Sequence, residues 1–194
     1  MTKNTKRLFI GIEVSPKVNS LISSLKNTII SERNDIRWVH QDNLHITISF
    51  LGNVQEENIP KLINLLTDVI QFKSYKMSIE QTGIFPNEKR LRILWIGINK
   101  GKNEIINLQY KIDKSVVEYK QSQRLDNFKP HITVGRVKRN ADLSKIQVKN
   151  FLNTLYEPIE FNVNSVVLFE SKLHPEGAKY TILKEFPLNE RSKQ

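Results

Sequence analysis

Apolar residues along the chain alternate between strand-like runs and helical spacing, and together they outline a repeated order of elements. Leu8 to Val14 is a short run containing Ile and Val, the pattern of a buried strand. Ser15-Pro16 predicts a helix start, Ser as N-cap and Pro at the first helical position. Val18, Leu21, Ile22, Leu25 and Ile29 then recur at helical spacing to about Arg33. Ile36 to Val39 reads as a short strand or lead-in, and Leu44 to Leu51 as a strand that Gly52-Asn53 ends. Ile59, Leu62, Ile63, Leu65, Leu66, Val69 and Ile70 predict a second helix, followed by an alternating strand over Tyr75 to Phe85 and a tight turn at Pro86 to Arg90.

The second half repeats this order. Leu91 to Ile98 predicts a strand, Ile105 to about Tyr119 a helix, His131 to Val137 a strand, Ile146 to Leu155 a helix, Ile159 to Phe169 a strand and Tyr180 to Phe186 a final one. Sliding the chain by 86 positions lays Leu8-Phe9-Ile10-Gly11-Ile12 onto Leu94-Trp95-Ile96-Gly97-Ile98, without a gap. The same shift superposes His45-Ile46-Thr47-Ile48 on His131-Ile132-Thr133-Val134. Two segments in one register indicate a duplication, with repeats over roughly 8–85 and 91–170 of a single 1–194 domain. The fold expected is α+β, two-lobed and pseudo-twofold, with two antiparallel or mixed sheets flanking a central cleft and helices outside. Connections are short apart from the polar Gln121 to Lys129 stretch, and the tail after Leu188 is polar and expected to fray.

Composition adds limits. The 194 residues are 39% hydrophobic and 26% charged, which supports a real core and excludes a disordered or fibrous chain. A formal charge of +10 favours polyanionic partners, nucleic acid or phosphorylated ligands. The absence of Cys excludes disulfides, thiolate chemistry and Cys-ligated zinc, and fits a cytoplasmic protein. The apolar run at the start is too short for an export signal or a membrane span.

The repeated tetrapeptide carries the chemistry. On a strand, residues i and i+2 share a face, so His45 lies beside Thr47 and His131 beside Thr133. A lone His on a strand is ordinary core, but core packing asks only for volume and apolarity. Imidazole and hydroxyl repeated in one register imply a repeated chemical demand. Zinc is a poor account, since the sequence offers no Cys and no His-Glu-x-x-His helix, and nothing places His40 or His174 near the motifs. Paired acid–base chemistry fits better: near pH 7 one imidazole can be neutral while its partner is protonated, with no metal or cofactor required. The Thr hydroxyls can then donate to phosphate oxygens as charge builds. Arg136 would add a cation, but its offset from His131 turns it to the opposite face of a regular strand, unless Gly135 permits a bulge. Its counterpart under the shift is Phe50, so the two His are not interchangeable.

These motifs and their neighbours resemble the two-histidine (2H) phosphoesterase superfamily, and within it the RNA 2′,3′-cyclic phosphodiesterases, also called 2′-5′ RNA ligases. The resemblance runs through Arg7 to Gly11, Trp38-Val39, Asn43 to Thr47, Phe50-Leu51-Gly52, Gly83 to Pro86 and Arg92 to Trp95. It continues over Phe128 to Thr133 with Arg136, Glu170 to Leu173 and Gly177 to Tyr180. It implies hydrolysis of a terminal RNA 2′,3′-cyclic phosphate to a 2′-phosphate, with His45 as proton donor to the 3′ oxygen and His131 as the base activating water. Thr47, Thr133 and Arg136 would hold the phosphate. The reverse chemistry, with a ribose hydroxyl in place of water, would form a 2′-5′ linkage, although water favours hydrolysis. The implied partner is RNA with cyclic phosphate ends, tRNA fragments among the candidates, acted on by a monomer. A phosphodiesterase of small cyclic nucleotides of the ADP-ribose type, or a non-catalytic basic RNA-binding module, are the alternatives. Phe9 and Trp95 are expected in the core, Tyr180 and Phe85 as base-stacking candidates, and His40 and His174 at the surface.

Overall fold

The computed structural model describes residues 4–32, 35–120, 128–175 and 177–189. Within them run β1 (Thr5–Glu13), α1 (Val18–Lys26), β2 (Ile36–Trp38), β3 (His45–Gln55), α2 (Ile59–Val69), β4 (Tyr75–Phe85) and β5 (Ile93–Ile98). Then follow α3 (Lys102–Ser115), β6 (His131–Val137), α4 (Lys149–Asn153), β7 (Ile159–Val163), β8 (Ser165–His174) and β9 (Gly177–Pro187). The strands pair antiparallel in the order β7-β4-β5-β6-β3-β1-β8-β9, with β2 added beside β6. The fold is α+β, as the pattern predicts. Its two four-stranded halves meet edge to edge as one sheet, joined between β3 and β6 at a single residue pair, Ile46 opposite Ile132.

Each spatial half draws on both sequence repeats. β4 ends the first repeat, yet it pairs with β5 of the second; β8, from the second, pairs with β1 of the first. The run expected as one strand over Ile159 to Phe169 is therefore two. Asn164 separates β7, which lies beside β4, from β8 at the other end of the sheet, and its carbonyl accepts from Leu188 N at 2.7 Å. A periodic apolar run cannot show that its ends belong to different partners.

Other boundaries shift for local reasons. α1 stops at Lys26, and the Thr28 hydroxyl donates to Leu25 O at 2.7 Å, a side-chain bond that competes with further helix. Ile30 instead bridges Gln147, which also leaves α4 shorter than the predicted Ile146 to Leu155 helix. Gly52 does not end β3: it takes φ +81° in an irregularity opposite Leu8, and the strand runs on to Gln55. The chain beyond Leu188 is tied at Asn189, which exchanges backbone bonds with Phe72 and Ser74. Arg33, most of the Gln121 to Lys129 stretch and residues 190–194 lie outside the described residues. Among the described residues no helix is long and apolar enough to cross a membrane.

The helices cover one face of the sheet. Val18, Ile22 and Leu25 of α1, Leu62 and Leu66 of α2, Ile105, Leu108 and Ile112 of α3, and Phe151 of α4 join the buried strand residues in one core. Ile46 and Ile132 point into it and are fully buried, so alternation turns His45, Thr47, His131 and Thr133 to the other face.

Immediately after each motif the alternation breaks. Ile10 faces Ser49 while Gly11 faces Thr47, so Ile48 has no partner; Leu94 faces Gly135 while Trp95 faces Thr133, so Val134 has none. These are two β-bulges in equivalent positions of the duplication. A bulge bends its strand and reverses the side-chain sequence. Residues 48 and 49, like 134 and 135, are thus both buried, and Phe50 and Arg136 come round exposed onto the face of the His and Thr. A β-carbon on Gly135 would meet Ile36 and Leu94 at 3.1 Å, so this bulge is packed against β2 and β5.

The one-pair junction makes a stability prediction. Ile132→Ala removes a fully buried side chain there and is expected to cost about 2–5 kcal/mol by urea unfolding; a loss below about 1 kcal/mol contradicts a packed junction.

Candidate active site

The antiparallel pair Ile46 and Ile132 fixes the four motif side chains crosswise. Moving one residue each way sets His45 opposite Thr133 and Thr47 opposite His131. The two imidazoles then lie on a diagonal whose backbone separation is about 7–8 Å.

Each imidazole is oriented by the chain just before it. His45 Nδ1 bonds Asn43 O and His131 Nδ1 bonds Lys129 O, both at 2.7 Å. A carbonyl can only accept, so Nδ1 carries the proton of the neutral ring and Nε2 presents a lone pair. At His45 that lone pair meets the Thr47 hydroxyl at 3.0 Å, and the hydroxyl donates. Asn43 also ties the β8–β9 hairpin to the motif, its Nδ2 donating to Ala178 O at 2.7 Å.

Each His rests on an aromatic wall. The His45 ring lies 4.8 Å from Phe9 and 5.1 Å, edge-on, from Tyr180, while Phe9 stacks on Phe169 at 4.8 Å. His131 lies 5.0 Å from Phe85, edge-on, and 6.3 Å from Trp95. Phe9 and Trp95, equivalent under the duplication, are buried, and the Lys129 ammonium sits 4.3 Å from the Trp95 ring centre. Phe85 and Tyr180 thus touch the imidazoles themselves.

Beside His45 and Arg136 opens a groove of about 740 Å³. Residues of β1, β2, β3, β6, β8 and β9 line it, among them Arg7, Arg37, Phe50 and Tyr180. His40 and His174 stand on its rim and are exposed. His131, Thr47 and Thr133 do not line it; they share the sheet face of His45. Among the described residues no three His, Cys, Asp or Glu side chains form a group able to hold a metal.

The sequence model of the 2′-5′ RNA ligase superfamily matches residues 13–175. The chain belongs to that superfamily. A protein of Archaeoglobus fulgidus named RNA 2′,3′-cyclic phosphodiesterase is 32% identical, over 93% of this chain and 99% of its own length. One of the same name from Aquifex aeolicus is 30% identical, over 94% and 97%. In fold, the chain is similar to the Thermus thermophilus protein TT0787, with TM-score 0.76 at 24% identity over 96% of this chain and 100% of that one. It is similar also to Escherichia coli LigT complexed with 3′-AMP, with TM-score 0.74 at 22% identity over 95% and 99%.

This superfamily member holds both imidazoles below their ordinary pKa. His45 is lowered to about 4, first by burial, which the bond to Asn43 O opposes, and then by the positive charge of Arg136 and of His131. His131 is lowered for the same first reason, with Arg136 and Lys129 adding to it and its bond to Lys129 O opposing. Arg136 therefore acts on both rings.

The motif residues and Arg136 are legible in the sequence as candidates; the carbonyls that orient the rings are harder to see there. Asn43 and Lys129 stand in the same duplicated register, and each lies two residues before its His, which is the signal that marks them. Arg37 lacks any such signal, because only strand pairing brings it to the site.

The ring environments predict titration by NMR. The His45 ring resonances are expected to titrate near pH 4 and those of His131 below the ordinary 6.5, both moving upward in inorganic phosphate. A His45 midpoint at or above 6.5 contradicts the burial described.

Proposed function

We propose that this protein is an RNA 2′,3′-cyclic phosphodiesterase that opens a terminal cyclic phosphate to a 2′-phosphate by paired-histidine acid–base catalysis. One observation carries the reading: both Nδ1 atoms are committed to backbone carbonyls, so both Nε2 atoms are turned onto one sheet face, that of His45 beside the Thr47 hydroxyl that would pass to a bound phosphate. The relatives' names support the substrate class. RNA ends, tRNA fragments among them, are the substrates, and the protein acts as a cytoplasmic monomer.

In the proposed sequence, His131 takes a proton from water as the oxygen attacks phosphorus. The bond from phosphorus to O3′ breaks, and protonated His45 gives its proton to the departing O3′. The Thr47 and Thr133 hydroxyls and the Arg136 guanidinium hold the non-bridging oxygens, whose charge rises in the transition state. Each proton transfer contributes about 10²–10⁴-fold. A ribose 5′-hydroxyl replacing water would yield a 2′-5′ phosphodiester by the same displacement.

The electrostatics add a condition. With its pKa near 4, His45 is neutral at pH 7 in the free protein, so it must take up a proton from solvent as the substrate binds. A bound phosphodiester anion offsets the Arg136 charge and favours the imidazolium. The low pKa of His45 also favours a second assignment, with His45 as base and His131 as donor. A cyclic substrate with sulfur in place of O3′ separates the two, because a thiolate leaves without a proton. If His45 is the donor, the thio substrate restores His45→Ala but not His131→Ala; the reverse pattern exchanges the roles.

Two measurements test the activity. Hydrolysis in EDTA is expected to give the 2′-phosphate, with losses of at least about 10²-fold in His45→Ala and His131→Ala; a 3′-phosphate product, or full activity in both variants, contradicts the reading. Since kcat/KM reports free-protein groups, its alkaline limb is expected below pH 6.5, and that of kcat at higher pH, because bound phosphate raises both histidines. An alkaline limb of kcat/KM above about pH 8 contradicts the depressed pair.

A further inference from the structure

β2 is three residues long, and it sets Arg37 directly opposite Arg136 of β6. Cross-strand partners on one face stand close enough for their side chains to interact, and like charges there are unfavourable. Among the described residues neither guanidinium has an acidic partner, and both are exposed on the groove. Other basic residues do find carboxylates: Lys100 pairs with Glu160 at 2.8 Å and Lys145 with Glu32 at 2.6 Å. A pair of unneutralised arginines held side by side calls for anions from outside the chain.

One anion is already assigned. Arg136 joins the face of the two His through the bulge at Val134, and Arg37 stands across from it on β2, which takes up the edge of β6 that β3 leaves, past the motif quartet along the strand. The groove of about 740 Å³ running past both is far larger than a phosphate and within the range of about 300–1,000 Å³ typical for organic ligands. A strand ending in a 2′,3′-cyclic phosphate carries all its other phosphates on the 5′ side. A second anion subsite next to the reacting phosphate must therefore meet the link to the penultimate nucleoside.

We propose that Arg37 is a specificity residue that binds the internucleotide phosphate immediately 5′ of the terminal cyclic phosphate, so that the protein favours oligonucleotide ends over cyclic mononucleotides. This rests on the cyclic phosphodiesterase reading. Arg37 makes no proton transfer; it holds a phosphate one nucleotide from the chemistry. Arg suits this task better than Lys, because its planar donors can engage two phosphate oxygens together.

The test compares kcat/KM on three substrates: a 2′,3′-cyclic mononucleotide, a dinucleotide ending in the cyclic phosphate, and that dinucleotide with a neutral methylphosphonate link. The wild type is expected to prefer the charged dinucleotide to the neutral one by roughly 10-fold, the scale of one hydrogen-bonded charge contact. Arg37→Gln is expected to erase most of that preference while lowering the mononucleotide rate far less, and Arg37→Lys to keep part of it. Equal losses on all three substrates would place Arg37 on the reacting phosphate or in the fold and overturn the proposal. An unchanged preference in Arg37→Gln would overturn it as well. Should Arg37→Gln not fold, the wild-type comparison decides: equal rates on charged and neutral links refute a second phosphate subsite. Wild-type inactivity on every substrate would instead overturn the phosphodiesterase reading, and this proposal with it.

Discussion

Where β3 and β6 meet, only Ile46 and Ile132 are paired, and the geometry of the site depends on that register. Both side chains are fully buried in the core beneath the sheet. A slip of one residue would turn one motif's His and Thr into the core and its isoleucines out, at the expense of both packing and polar hydration. Core packing thereby specifies an arrangement of polar groups on the opposite face. The bulges at Ile48 and Val134 then bend the strands just past the motifs, where β2 takes up pairing with β6.

The duplication supplies a symmetric frame, and the side chains make it asymmetric. Both imidazoles are anchored at Nδ1 by the carbonyl two residues earlier, and both rest on aromatic rings. The equivalent positions after the bulges hold Phe50 in one half and Arg136 in the other. The groove likewise lies on the His45 side, bounded by the β8–β9 hairpin. One half thus sets a cation beside the imidazoles, and the other an exposed ring along the groove. The depressed pKa values follow from the same placement: burial and a shared guanidinium disfavour positive charge on either ring until an anion arrives.

Much of this is legible from periodicity. β4 and β6 keep their predicted bounds from end to end, and α2 follows its helical stripe to within a residue, because each turns apolar side chains to the core along its length. The odd offset of Arg136 from His131 points to a bulge near Gly135, and the bulge lies at Val134. What escapes is set by partners distant in sequence. α1 ends early and α4 starts late because Ile30 and Gln147 pair with each other, and the run from Ile159 to Phe169 divides because its parts join opposite ends of the sheet. The exchange of β4 and β8 between halves leaves no trace in a repeat. Arg37 is invisible for the same reason: its meaning lies in the residue opposite, not in its own surroundings along the chain.

The central claim is that two half-sites separated by 86 positions grip a single phosphate. A crystal structure of the protein soaked with a nucleoside 2′-phosphate tests it most directly. The account predicts one phosphate with an oxygen in hydrogen-bond reach of Nε2 of both His45 and His131, and with Arg136 on a third oxygen. A phosphate held by one histidine alone, with the other imidazole turned away or bonded elsewhere in the chain, would contradict it.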